Sequence, residues 1–285
     1  MRLPRCARWI EMAGIGWLFL GTASILWAAD NEAEAFRAGK NFIETKVYTV
    51  EEDQKVIDYF KGLRVSDVTD GMDKAGLADI GLMDPAIHPL WKDTEHYTHR
   101  IIGIAVTARY VPTQRPQAGR MTGKEFDAWS GHFYSTYSHE PFAKILRKGS
   151  VVVIEEAEGA DVGSIGSNNI MSWVLKGCIG VVTNLSARDT DEIITEKVPL
   201  YFKQPGRGIR PGRNEIESVN RPVVCGGVLV LPGDVIVADG DGVIVVPRAN
   251  AEEVAAYAQD VLRSDKEGRR GLYQQLDLPT DDSVK

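Results

Sequence analysis

Several catalytic signatures are missing from this sequence. It has no Walker phosphate loop, no His-Glu-x-x-His helix, no Cys-x-x-Cys pair and no Gly-x-Ser-x-Gly elbow. Their absence removes P-loop nucleotide hydrolysis, zincin peptidase chemistry, thiol redox cycling and α/β-hydrolase chemistry as readings. No Lys/Arg-rich block occurs, and the net charge is −7 with a pI of about 5.4, so nucleic acid is not an expected partner. Cysteine is scarce: Cys6, Cys178 and Cys225 are the three in 285 residues. The last two sit in apolar strand contexts and are expected as one disulfide or as two buried thiols. The five histidines all fall in the first half of the chain. His96 and His99, in "HYTH", read as a polar surface loop, with a metal pair as the alternative.

What is present begins with a leader. Arg2, Arg5 and Arg8 precede an uncharged run from Met12 to Ala29 that ends in small residues. A basic segment, an apolar segment and a small-residue end describe a secretory signal over 1–29. The mature protein is then expected to be exported to the periplasm; the alternative is an inner-membrane anchor, since 18 apolar residues just reach spanning length. Only that alternative brings a membrane contact.

Residues 30–63 read as a charged helical extension, with Val56, Ile57, Phe60 and Leu63 at helical spacing. "RVSDVTDGMDKAGL" predicts a short helix with Ser66 as N-cap and Gly76 as its stop. "RIIGIAVTARYV" predicts a strand. Residues 112–148, with Trp129, Phe133, Tyr134 and Tyr137, give no clear element; local aromatic packing is expected, a lid over a site being the sharper reading. From Gly149 strands and helices alternate. "SIGSNNIMSWVLKGC" predicts a loop and a helix with Ile170, Val174 and Leu175 on one face, and 204–218 a loop. Residues 221–247 predict two or three strands, and 249–270 an amphipathic helix. An echo between 148–162 and 232–246 reads as two similar hairpins. The class is therefore α/β in a single domain over 64–265, followed by a tail, 266–285.

Two segments carry candidate chemistry. "GSIGSNN" (163–169) places two glycines at the entrance of a helix, where N–H groups attract carboxylate or phosphate. "ARDTDE" (187–192) ends the next strand, and in open α/β sheets ligands gather at the carboxyl ends of strands. A strand–helix–strand unit brings both segments to one sheet edge. Arg188 is suited to grip a carboxylate through paired hydrogen bonds. Asp189 offers a hard oxygen to Mg²⁺ or Mn²⁺, a Lewis acid for a 2-oxo acid. A structural salt bridge is the competing reading of the pair.

"NLSARDTDEI", "GGVLVLPGDVIVADGDGVIVVP", "GIAVTARYV" and "VSDVTDGM" together resemble the RraA-like family over about residues 65–254. That family includes class II pyruvate aldolases acting on 4-hydroxy-4-methyl-2-oxoglutarate, regulators of ribonuclease activity, and members labelled demethylmenaquinone methyltransferase. The resemblance implies an α/β/α sandwich-type fold, trimers or hexamers, and a site at a subunit interface. It implies that Arg188 binds the pyruvyl carboxylate, that Asp189 holds Mg²⁺ or Mn²⁺ with support from Glu192, and that Gly166, Ser167, Asn168 and Asn169 offer amides to the substrate. Asp70 and Asp73 are candidates to reach a neighbouring subunit's site. The implied activity is metal-dependent cleavage or decarboxylation of a 2-oxo acid to pyruvate; a non-catalytic ring-forming binding protein is the alternative.

The resemblance departs at Ser167, 21 residues before Arg188, where aldolase members often carry a carboxylate that orders metal-bound water. Residues 112–148 also look longer than the family's usual connection. Asp239 and Asp241, in "ADGDGV", read as a hairpin turn rather than a metal loop. Arg207, Arg210 and Arg213 read as a solvated or subunit-contacting loop rather than an anion site.

Overall fold

The computed structural model describes residues 31–157 and 161–285; the leader expected over 1–29 lies outside the described residues. The chain divides into two compact units, 1–44 and 45–285. In the first, residues 31–37 are helical, and Phe36 packs against Phe42 with ring centroids 5.9 Å apart. Everything below concerns the second unit. Among the described residues no helix is long and apolar enough to cross a membrane.

The predicted helical extension is interrupted. Residues 38–49 are not helical, and α1 (Val50–Tyr59) starts where Thr49 and Glu52 close a reciprocal capping box. Helix α2 (Val65–Lys74) begins two residues earlier than expected. Its N-cap is Arg64 rather than Ser66, because the Asp67 carboxylate accepts the Arg64 backbone N–H at 2.9 Å and grips its guanidinium as well. Gly76, at φ +76°, lies just past its end.

The strands are β1 (His88–Pro89), β2 (Ile101–Pro112), β3 (Ser150–Glu156), β4 (Cys178–Thr183), β5 (Ser186–Ala187), β6 (Leu200–Phe202), β7 (Gln204–Pro205), β8 (Asn214–Val219), β9 (Val223–Cys225), β10 (Val228–Val230), β11 (Val235–Asp239) and β12 (Gly242–Val246). The main sheet runs β1-β6-β4-β3-β2-β11-β12, with β8 beside the far half of β2. Strands β2, β3, β4 and β6 are parallel. The connections from β3 to β4 and from β4 to β6 carry α4 (Ser167–Val174) and α5 (Thr190–Glu196), and a third helix in the chain, α3 (Gly123–Thr136), precedes β3. Helix α6 (Ala251–Gln275) continues past the expected boundary at 265, and Arg270 on it donates to the Val284 carbonyl at 2.6 Å.

The class is α/β. Side-chain alternation along the strands sorts the core into layers. Val106, Ala108, Val152 and Ile154 pack with Ile170, Trp173 and Ile193 of α4 and α5. Ile104, Val235 and Val237 pack with Val68, Met72 and Val254 of α2 and α6. Ile104 and Val106 share a face of β2, so both helical groups cover the same side of the sheet. The opposite face, through Ala105, Val151, Val153 and Ile236, meets the β9–β10 hairpin and the turn holding Met83 and Ile87. The second outer layer of the expected α/β/α arrangement is thus formed by a hairpin.

Several local expectations need correction. The 221–247 segment holds four strands, because Gly226 and Gly227, both at positive φ, turn β9 into β10. Residues 214–218, part of the segment expected as loop, belong to β8 despite their charge, paired in register with β2. The 232–246 half of the echo is a hairpin, whereas β3 lies between two parallel neighbours. On α4 the buried residues are Ile170 and Trp173, while Val174 and Leu175 are exposed. Cys178 and Cys225 are free buried thiols, not a disulfide, and burial pushes Cys178 up to about 11. His96 is exposed but His99 is not a surface residue: it is buried, with Nδ1 accepting the Asp93 N–H at 3.0 Å.

Candidate active site

The two segments singled out above meet at the carboxyl ends of β3 and β4. Ile165 bridges Ala187, the Arg188 N–H donates to the Ile165 carbonyl at 2.8 Å, and the Gly206 N–H donates to the Ala187 carbonyl at 2.8 Å. Gly163 is required by space: a Cβ there would lie 2.6 Å from Arg188 Cβ and 2.9 Å from the Gly206 carbonyl oxygen.

Asp189 is the N-cap of α5 but does not cap it. Its backbone is left-handed, at φ 57° and ψ 39°, and its carboxylate makes no bond to its own first turn. Asp tolerates this region better than most residues, at a cost of about 1–3 kcal/mol that is often retained at functional sites. The conformation aims the side chain across the cleft, where Oδ2 accepts the Ser167 backbone N–H at 3.2 Å. The Ser167 amide, expected to face substrate, is therefore engaged by Asp189. Asn168 and Asn169 follow in the same first turn, where N–H groups have no intrahelical partner.

Gly166 allows the two segments to approach closely. Its backbone is extended, at φ −117°, so glycine is needed for room and not for conformation. An added Cβ would lie 2.7 Å from Asp189 Oδ2, 3.4 Å from Asn169 Oδ1 and 3.6 Å from Arg188 Nε. Three polar atoms thus converge on one small volume. Arg188 and Asp189 are both about one-third exposed, and Arg188 Nε stands 3.8 Å from Asp189 Oδ1. A contact that long leaves the guanidinium free to pair with an anion. Glu192 is exposed on the first turn of α5. Asp70 and Asp73 are exposed on α2.

The donor set suits a hydrated hard cation. No group of three or more His, Cys, Asp or Glu side chains clusters among the described residues, which argues against a zinc-type cage. Mg²⁺ and Mn²⁺ take one or two carboxylates and keep water. One accessible carboxylate beside an amide oxygen, over a glycine cradle, fits that requirement.

Behind the cradle lies a polar layer that the sequence reading missed. Glu140, just before a 3₁₀ turn (Pro141–Lys144), accepts from Asn169 Nδ2 at 2.6 Å, Trp173 Nε1 at 2.9 Å and Arg210 Nη2 at 2.5 Å. Arg210 is only 4% exposed and also donates to the Tyr110 hydroxyl, so it is not part of a solvated loop. Arg207 does sit at the surface, paired with Asp161. Tyr110 in turn donates to the His139 carbonyl at 2.8 Å. Residues 123–137 are the source of this geometry: Trp129, Phe133 and Tyr137 pack along α3 and its end, and the chain then delivers Glu140. A cap box at Thr122 and Glu125 was the available signal for that helix.

Glu156 ends β3 and is 2% exposed. Neither carboxylate oxygen has a hydrogen-bond partner among the described residues. Burial pushes its pKa up to about 7, against the lowering influence of nearby Ser164 and Arg210. Asp239, by contrast, is structural: it accepts the Val65 and Asp241 N–H groups, both at 2.9 Å.

An Arg-Asp pair thus lies beside a glycine cradle at the strand ends of a mixed α/β sheet. Residues 65–245 match the family model RraA-like, Aldolase/RraA, and the chain belongs to that family. It is 30% identical over 126 residues to a putative 4-hydroxy-4-methyl-2-oxoglutarate aldolase of Halalkalibacterium halodurans, covering 44% of this chain and 59% of that protein. It is 30% identical over 104 residues to the 4-hydroxy-4-methyl-2-oxoglutarate aldolase of Thermus thermophilus, covering 35% and 60%. The matched region spans about half the length of an uncharacterized Methanocaldococcus jannaschii relative, at 33% identity over 106 residues, 36% of this chain and 50% of that one. Among solved structures, one from Pseudomonas syringae pv. tomato aligns with a TM-score of 0.58 at 25% identity, over 78% of this chain and 92% of the other. A Streptomyces coelicolor member of the RraA protein family shares the fold, with a TM-score of 0.59 at 21% identity, over 80% and 98%.

Proposed function

We propose that this protein is a divalent-metal-dependent lyase that releases pyruvate from a 2-oxo acid. One observation carries the reading: the Arg188 guanidinium, the Asp189 carboxylate and the Asn169 amide oxygen all border the same space over Gly166. Arg188 binds and orients the substrate carboxylate. The N–H groups at the start of α4 add partial positive charge to the same side. Asp189, with Glu192 in support, holds Mg²⁺ or Mn²⁺. When bound, that ion supplies a Lewis acid for charge developing on the keto oxygen.

The residues present favour decarboxylation over aldol cleavage. Retro-aldol cleavage must remove a proton from the 4-hydroxyl, and Ser167 supplies no base for it. Glu140 is already held by three donors. A β-carboxylate leaves as CO₂ with no proton to remove, its bonding pair passing to the keto oxygen as an enolate that then takes a proton from water at C3 to give pyruvate, so an oxaloacetate-type substrate fits this donor set better. The site is proposed to work in a homotrimer or homohexamer of an exported, periplasmic protein.

The test follows pyruvate from oxaloacetate and from 4-hydroxy-4-methyl-2-oxoglutarate, with Mg²⁺, Mn²⁺ or EDTA. Metal-dependent release that Asp189→Ala abolishes is expected, with oxaloacetate the faster substrate. No release from folded protein with either acid would overturn the reading in favour of a non-catalytic ring-forming binding protein.

A further inference from the structure

The amide of Asn169 has a defined orientation, and Glu140 sets it. A carboxylate contacted by guanidinium, indole and amide N–H groups acts as an acceptor for all three. Asn169 must therefore turn its Nδ2 toward Glu140, which leaves its Oδ1 toward the space over Gly166. Without Glu140 the amide is free to flip and present N–H donors to that space, beside the Arg188 guanidinium. Two donors there would repel a cation.

The surroundings hold Glu140 in place. Arg210 pairs with it from a nearly fully buried position and is itself fixed by Tyr110. Trp173 is completely buried and stacks edge-on against Phe142, two residues after Glu140. The carboxylate is thus built into the core on one side and reaches the candidate site only through Asn169. It makes no contact with Arg188 or Asp189 among the described hydrogen bonds and ion pairs.

We propose that Glu140 is a positioning residue: by taking the Asn169 Nδ2–H it presents the Asn169 Oδ1 as a second protein oxygen beside Asp189 for a hydrated divalent cation. This rests on the metal-dependent reading above. It also assigns a role to the segment 112–148, whose helix and turn carry Glu140 to the site. A neutral oxygen at Asn169 then contributes to ordering the ion's water where Ser167 cannot.

The experiment is Mn²⁺ binding to the whole protein, followed by electron paramagnetic resonance, in a double-mutant cycle of Asn169→Ala and Glu140→Gln. Asn169→Ala is expected to weaken Mn²⁺ roughly tenfold or more, as loss of an outer-sphere partner does. Glu140→Gln is expected to weaken it comparably in the wild-type background and not at all in the Asn169→Ala background. A purely structural role would give additive losses, and additive losses would overturn the proposal. So would unchanged affinity in Asn169→Ala. Should Glu140→Gln fail to fold, the Asn169 side-chain amide resonance decides. A downfield Nδ2–H that persists on adding Mg²⁺ is expected, and an ordinary solvent-like shift overturns the proposal. Wild-type protein that binds Mn²⁺ without releasing pyruvate would sink the lyase reading alone. Wild-type protein that binds no Mn²⁺ would overturn this inference together with the metal-dependent reading.

Discussion

The Asp189 carboxylate accepts the backbone N–H of Ser167 at 3.2 Å across the cleft between two loops. An N-cap aspartate ordinarily bonds to its own helix. Here the left-handed backbone of Asp189 turns the carboxylate away, and the start of α4 becomes its support. One oxygen is thereby anchored to a rigid element, while the residue stays partly exposed.

That arrangement makes Gly166 a sharp test. Its φ of −117° accepts any residue, yet an alanine Cβ would sit 2.7 Å from Asp189 Oδ2. The carboxylate must move by a few tenths of an ångström or more. Gly166→Ala is expected to lower pyruvate release by roughly 10–100-fold, in line with the cost of small misplacements, while the melting temperature stays near wild type. Steady-state kinetics with parallel thermal melts checks both. Unchanged release would mean that this space does not hold the reacting groups.

Arg210 and Glu140 predict a stability effect instead. Both are largely buried, with side-chain exposures of 5% and 16%. Removing one partner of such a pair leaves the other charge uncompensated and costs about 3–5 kcal/mol. Arg210→Met should lower the urea midpoint accordingly. A midpoint within experimental error of wild type would show that Glu140 finds other compensation.

Asp239→Ala should separate structural from chemical carboxylates. Its two backbone contacts tie the β11–β12 turn to the start of α2. Losing them leaves the buried Val65 N–H unpaired, at about 1–3 kcal/mol, while the N–H of the exposed Asp241 turns to water. Pyruvate release per folded molecule should be unchanged, whereas Asp189→Ala should abolish release with little loss of stability. Loss of activity in folded Asp239→Ala would move the turn into the site.

How much of this was legible depended on sequence distance. Arg188 and Asp189 are adjacent, and the glycine loop precedes them by one helix, so a strand–helix–strand reading was enough to bring them together. Glu140 was not legible, because its partners lie far off in the sequence, Asn169 and Trp173 on α4 and Arg210 in the loop before β8, and residues 112–148 show no strong period. Arg210 looked solvated because its neighbours in sequence are polar; its burial is decided by Tyr110 and Glu140. Val174 and Leu175 looked like core because they are apolar. Their exposure follows from which side of α4 the sheet occupies, a fact set by Ile170 and Trp173. Strand β8 was hidden by its charges, which an edge position tolerates.

Glu156 gives the pH-dependent prediction. Its carboxyl is buried and pushed up to about 7 from an ordinary 4.5, so the folded protein keeps the proton over a range where the unfolded chain loses it. Its contribution to stability is fully present below about pH 4.5 and is lost as pH rises through about 7. Glu156→Gln keeps the neutral shape and removes the titration. The variant should match wild type near pH 4.5 and exceed it at pH 8, by on the order of 3 kcal/mol if the whole difference is expressed. Urea midpoints at half-unit steps between those limits check the sign. A Gln variant less stable than wild type at pH 8 would mean that the fold holds this carboxylate ionised by a partner. It would then belong to the charged network of Arg210 and Glu140 rather than standing as a neutral acid at the end of β3.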